Sequence, residues 1–168
     1  MSLNFSNNDL IKRYQVPSCT HVFHIGCNEN RITIHDQQKR ACALVEALFS
    51  TGKIRKGCKI AVVGAGFAGL TAATAGVVKG CDITIYDRAE QALSTQRGTL
   101  HRWIHPNIFD WPRDGWQVEI TDLPFLNWKA ANANEVVHKI DVIWSFIRAQ
   151  YKLDVRFNTE VLNVKQNL

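Results

Sequence analysis

The chain predicts an α/β fold, a parallel sheet flanked by helices, on three observations. Residues 60–63, Ile-Ala-Val-Val, form a short and wholly apolar run, as a strand buried on both faces of a parallel sheet requires. A glycine-rich turn follows at once and opens into an alanine-rich helix. A second strand, residues 83–86, then ends in an acid, Asp87. The 168 residues suffice for one ordinary domain, and an apolar fraction of 46% can fill its core and argues against disorder.

Residues 1–57 read as an N-terminal extension of strands and a helix. Cys19, His21, His24 and Cys27 invite comparison with a metal site. On a straight strand, however, His21 and His24 point to opposite faces. Cys19 and Cys27 then stand about 26 Å apart at about 3.3 Å per residue, so four ligands cannot converge on one ion. A strand pair, residues 21–25 and 31–34 joined by the turn Gly-Cys-Asn-Glu-Asn, accounts for the same residues, and no metal site is assigned. A helix follows from an N-cap at about Asp36 to a C-cap at Gly52, with Ala41, Leu44, Val45, Leu48 and Phe49 on its apolar face.

The turn is Gly64, Ala65, Gly66, Phe67, Ala68 and Gly69. Gly64 permits the sharp exit from the strand. Gly66 lets backbone approach a diphosphate that a Cβ would push away, and Gly69 lets the helix pack closely. The helix N-terminus offers free N–H groups and the positive end of its dipole to that diphosphate. The helix runs on to Gly80. Asp87, at the tip of the second strand, is placed to accept hydrogen bonds from ribose hydroxyls and to repel a 2′-phosphate. Strand, turn, helix and acid in this order specify a Rossmann-like dinucleotide site, and the loop's physics suits NAD or FAD.

Residues 59–88 resemble the FAD-binding fingerprint of the FAD-dependent oxidoreductase superfamily with the glutathione-reductase-like fold. The resemblance lies in Gly-Ala-Gly-Phe-Ala-Gly-Leu, the alanine-rich helix, Gly80 and the strand ending in Asp87, where relatives more often carry Glu. It implies that residues 58–168 are the front half of a dinucleotide-binding domain with FAD as cofactor and NAD as the alternative. It places Arg97 towards the pyrophosphate, Arg88 beside the adenosine, and the backbone of Val161 at the adenine edge. It also implies a flavin-dependent parent oxidoreductase reduced by NAD(P)H. The superfamily's late Gly-Asp motif does not occur in this chain, so a complete active site is not expected here. A non-catalytic module binding FAD, NAD or ADP, or a partner, is the alternative.

Residues 97–128 read as an aromatic-rich insertion. Within it, residues 101–116 have neither helical nor strand period and concentrate His101, Trp103, His105, Asn107, Phe109, Trp111 and Trp116. Three readings stay open: His101, His105 or Asn107 lining a flavin pocket, a buried aromatic core, or a subunit interface. Val136, Val137, Ile140, Ile143, Trp144 and Ile147 have helical spacing, and two short strands are expected on either side of Asn158 and Thr159.

The net charge of +5 comes from scattered Lys and Arg residues, which predicts a solvated basic surface and not a nucleic-acid footprint. Five cysteines at irregular spacings, with no CxxC pair, suit reduced thiols. No apolar run approaches the about 20 residues of a membrane span, and the first residues do not resemble a signal peptide. The expectation is a cytoplasmic, homo-oligomer-compatible protein with no membrane partner.

Overall fold

A computed structural model describes residues 6–26, 32–107 and 114–165. Its centre is a parallel sheet of β1 (Lys59–Val63), β2 (Asp82–Tyr86) and β5 (Leu153–Arg156) in the order β1-β2-β5. The α/β class is as the sequence predicts. Helix α3 (Phe67–Val78) connects β1 to β2. A longer excursion through β3 (Trp103–Ile104), β4 (Ala131–Asn132) and α4 (Ala133–Gln150) connects β2 to β5. Register sets Ile60 beside Ile83 and Val62 beside Ile85, and Ile83 and Ile85 in turn beside Leu153 and Val155. These residues share one core with Leu70, Ala73 and Val77 of α3 and Val136, Val137, Ile140 and Trp144 of α4. The apolar stripe on α4 therefore does what its spacing predicts.

The opposite face of the sheet is a departure. Ala61 and Val63 of β1 are exposed, Val63 by 61%, and the same side of β5 presents Asp154 and Arg156. The sequence predicts a β1 buried on both faces. Among the described residues β1 is an edge strand with one strand neighbour, and α3 and α4 both pack against the other face of the sheet.

The N-terminal segment also differs from its expectation. Residues 32–33 lead straight into helix α2 (Ile34–Ser50), so no strand pair forms with residues 21–25. The cause is local. Thr33 is the N-cap: its hydroxyl accepts from Asp36 N at 3.0 Å, and the Asp36 carboxylate accepts from Thr33 N at 3.0 Å. Asp36 is thus the third helical residue and not the cap, a reciprocal arrangement that satisfies two free donors. Phe23 instead bridges to Gln15, folding residues 22–24 back on the end of α1 (Asn7–Tyr14). His21 and His24 are exposed, and Cys27 lies outside the described residues. Among the described residues no three metal-ligating side chains cluster.

α2 lies along α3, where Ala41 and Val45 pack against Ala72 and Ala75. Small side chains on both helices permit this approach. A buried polar cluster pins it. Gln38, fully buried, donates to Thr71 Oγ1 of α3 at 3.1 Å and accepts from Trp128 Nε1 at 2.7 Å.

The insertion does have regular structure. β3 and β4 pair antiparallel, Trp103 with Asn132 and Ile104 with Ala131, and a single 3₁₀ turn covers Trp116–Val118. Trp128 is a core residue, whereas Trp103 is half exposed. Phe109 and Trp111 lie outside the described residues. Among the described residues after β5, the expected second strand is absent. Asn158 takes a left-handed φ of 52°, and its N–H donates to Ala89 O while Thr159 N–H donates to Asp87 O. Among the described residues no helix is long and apolar enough to cross a membrane.

Candidate functional site

The loop between β1 and α3 is built from three different glycine requirements. Gly64 holds a φ of 101°, which side-chain-bearing residues rarely adopt. A Cβ on Gly69 would lie 1.8 Å from Gly64 O, so the helix and the turn touch where only hydrogen fits. A Cβ on Gly66 would meet nothing within 4 Å. The protein's own packing therefore does not explain Gly66, and the space above it is open.

The start of α3 is distinctive for the same reason. Among the described residues, Ser6, Thr33 and Asn132 cap the other three α-helices with side-chain oxygens. Gly66 caps α3 and offers none. The first N–H groups of α3 are left for an outside acceptor, at the positive end of the dipole. An open groove of about 330 Å³ lies over them. Val63, Gly64, Gly66, Phe67, Ala68 and Gly69 form one side of it. Ile34 and Gln37 of α2, with Thr95 and Gln96, form the other.

Asp87 adjoins this loop. One carboxylate oxygen accepts from Ala65 N at 2.5 Å and the other from Ala89 N at 2.7 Å. The side chain therefore fixes the turn. Each oxygen keeps a second lone pair, so acceptance from a ribose hydroxyl remains open to it. Arg88 is exposed beside it. Val161 is half-buried in the irregular segment after β5.

Arg97 is the clearest difference from the expected site. Its guanidinium forms a two-pronged pair with Asp141 of α4, at 2.8 and 2.9 Å, and donates to Ala92 O at 3.0 Å. It does not line the groove. It ties residues 92–97 to α4, while Leu93 N–H donates to Ala65 O at 3.0 Å and ties the same segment to the loop. Four of its five donors are used this way.

His105 and Asn107 lie in a separate polar cluster and do not line the groove. His105 Nδ1 accepts from Asn107 N at 3.0 Å, which leaves the proton on Nε2, 3.0 Å from Trp116 O and 3.1 Å from Glu119. The Asn107 amide donates to the same carboxylate at 2.5 Å. The ring is buried and both its nitrogens are engaged, an arrangement that holds the insertion together. His101 is exposed.

Residues 42–148 match the family model described as alanine dehydrogenase/PNT, C-terminal domain. The chain belongs to this family. The matched span runs from the middle of α2 to the last turn of α4 and includes the whole of β1, α3 and β2. It supports a dinucleotide-binding, Rossmann-type oxidoreductase family, the coarser part of what the sequence resemblance implies, and it does not single out FAD. Comparison with curated proteins and with solved structures returned no match.

Ile34, Gln37, Thr95 and Gln96 are groove-lining residues that the sequence does not announce. The only available signal was the helical spacing of Ile34 and Gln37, and that was hidden by the β-branched run Ile32-Thr33-Ile34.

Proposed function

We propose that this chain is the nucleotide-binding portion of an NAD-dependent oxidoreductase and that it holds the ADP half of NAD on the glycine-rich loop. The observation that carries the reading is the uncapped start of α3 beneath an open groove, with no packing reason for Gly66. The diphosphate would rest on the N–H groups of Phe67, Ala68 and Gly69, and the ribose hydroxyls would donate to Asp87. A carboxylate at that place favours NAD over NADP. Hydride transfer is the chemistry the nicotinamide supplies when bound, and this chain's residues bind and orient it. No described residue is assigned a catalytic step.

FAD is the second reading, favoured by the Gly-Ala-Gly-Phe-Ala-Gly-Leu fingerprint and its alanine-rich helix. Calorimetric titration with NAD, NADP, FAD and ADP separates the two. Tighter binding of NAD than of FAD and NADP is expected. Preference for FAD would move the assignment to the flavin side, and no binding of any of the four would overturn the dinucleotide reading. Asp87→Asn should weaken NAD and ADP about tenfold, one charge-assisted hydrogen bond's worth, and reduce the discrimination against NADP.

A further inference from the structure

The family match begins at residue 42, after the first two turns of α2, yet those turns form part of the groove. We infer that the start of α2 belongs to the nucleotide site, and that Gln37, together with Thr95 and Gln96 on the same side of the groove, supplies uncharged hydrogen bonds to the diphosphate. This rests on the dinucleotide reading above and extends it to the second wall.

The placement of Gln37 follows from helical spacing. Residues three apart share a face. Ile34 and Gln37 line the groove, while His35 and Gln38 point into the protein. His35 is buried and sits 3.0 Å from Asp122, and Gln38 joins α3 and Trp128. The inner pair thus fixes the rotation of α2 about its axis, and with it the direction of the outer pair. The wall is rigid before any ligand arrives, which spares a ligand the cost of ordering it.

The segment that carries Thr95 and Gln96 is equally constrained. Ala92 and Leu93 are buried, Leu93 is bonded to the loop carbonyl of Ala65, and Arg97 is clamped by Asp141. Thr95 and Gln96 sit between these anchors and reach the groove.

Among the described residues, the groove's lining contains no Lys or Arg. A diphosphate there meets backbone N–H groups, a helix dipole and neutral side-chain amides and hydroxyls. Residue 37 is therefore the place where an added charge acts directly on the ligand's phosphates.

The test is a charge series at residue 37, read by calorimetric titration with ADP at low and high salt. Gln37→Ala should weaken ADP about tenfold, the usual effect of removing one hydrogen bond to a charged group. Gln37→Lys should tighten ADP and make its binding more salt-sensitive, and Gln37→Glu should weaken ADP more than Gln37→Ala does. Opposite shifts from Lys and Glu cannot arise from a shared folding defect, and thermal melts of each variant check this. Equal ADP affinity across all three variants, with wild-type binding intact, would overturn the second wall and leave the glycine-loop reading standing. Failure of the wild-type chain to bind ADP would overturn both.

Discussion

Two alanine substitutions three residues apart should fail in opposite ways. At Gly69 the new Cβ would lie 1.8 Å from Gly64 O, whereas real Cβ contacts essentially never fall below 3.0 Å. The turn or the helix must yield by about 1.2 Å, and the neighbour is backbone, which cannot rotate away. Overpacking of this kind costs about 1–3 kcal/mol, and the helix-propensity gain of Ala over Gly returns at most about 1 kcal/mol. A 1.8 Å contact with backbone sits in the upper part of that range, about 2–3 kcal/mol, so the net loss is about 1–2 kcal/mol and should lower Tm by roughly 2–8 °C in a chain of this size. At Gly66 the Cβ meets no protein atom within 4 Å and φ is −77°, which Ala adopts freely. Gly66→Ala should therefore melt within about 2 °C of wild type, in the range of an ordinary surface change. It should nonetheless lose ADP and NAD binding, because the methyl group would occupy the place proposed for the diphosphate. Differential scanning fluorimetry and calorimetric titration of both variants decide the matter. A Gly66→Ala protein that binds ADP like wild type would refute the loop as the diphosphate site. A Gly69→Ala protein with unchanged Tm would refute the contact between turn and helix.

Three further outcomes follow from the packing around the site. The partly buried Arg97–Asp141 pair should show a coupling of about 1–2 kcal/mol in a double-mutant cycle of Arg97→Ala and Asp141→Ala, measured by denaturant unfolding; additive effects would contradict the clamp. Gln38→Ala strands Trp128 Nε1 and opens a cavity, and should cost about 2–4 kcal/mol in the same assay. His35 has its pKa held below the ordinary 6.5 by burial first and by Lys39 second, against the opposing pull of Asp122 and Asp36. The unfolded chain therefore binds more protons just below that value. Stability should be full above about pH 6.5 and decline as pH falls towards the folded pKa. His35→Gln should flatten this slope in unfolding curves taken across pH 5–7.5 relative to wild type.

What the sequence made legible was local and what it hid was long-range. β1, the turn, α3 and β2 carry their own signals: an apolar run, glycines with distinct duties, and small residues where helix meets sheet. α4 was equally plain from its apolar stripe. The start of α2 was misread because Ile32, Thr33 and Ile34 are β-branched and suit a strand. The deciding interaction is the reciprocal capping of Thr33 and Asp36, with Asp in a place where Glu or Gln is the familiar signal. Arg97 was read as a phosphate ligand because its partner Asp141 lies 44 residues on, and a lone arginine does not disclose such a partner. β3 and β4 are two residues each and exist only through pairing across 28 or so residues. No periodicity can develop over that length. The exposure of Val63 depends on α3 and α4 both packing against the other face of the sheet, a property of the layers and not of the strand.

The order of the strands has a dynamic consequence. Among the described residues, β2 is bonded on both sides and β1 on one. Amide protons of β2, bonded into the ladders on either side, should exchange with solvent only in the largest openings of the molecule, while β1 can detach by breaking a single ladder. The glycine-rich loop continues this more labile strand and is tied to the end of β2 through Gly64 N–H to Tyr86 O and Ala65 N–H to Asp87. A nucleotide seated on the loop therefore acts as a latch on β1. Its binding energy should appear as slowed deuterium uptake at residues 59–65, with little change in β2, whose breathing it does not govern.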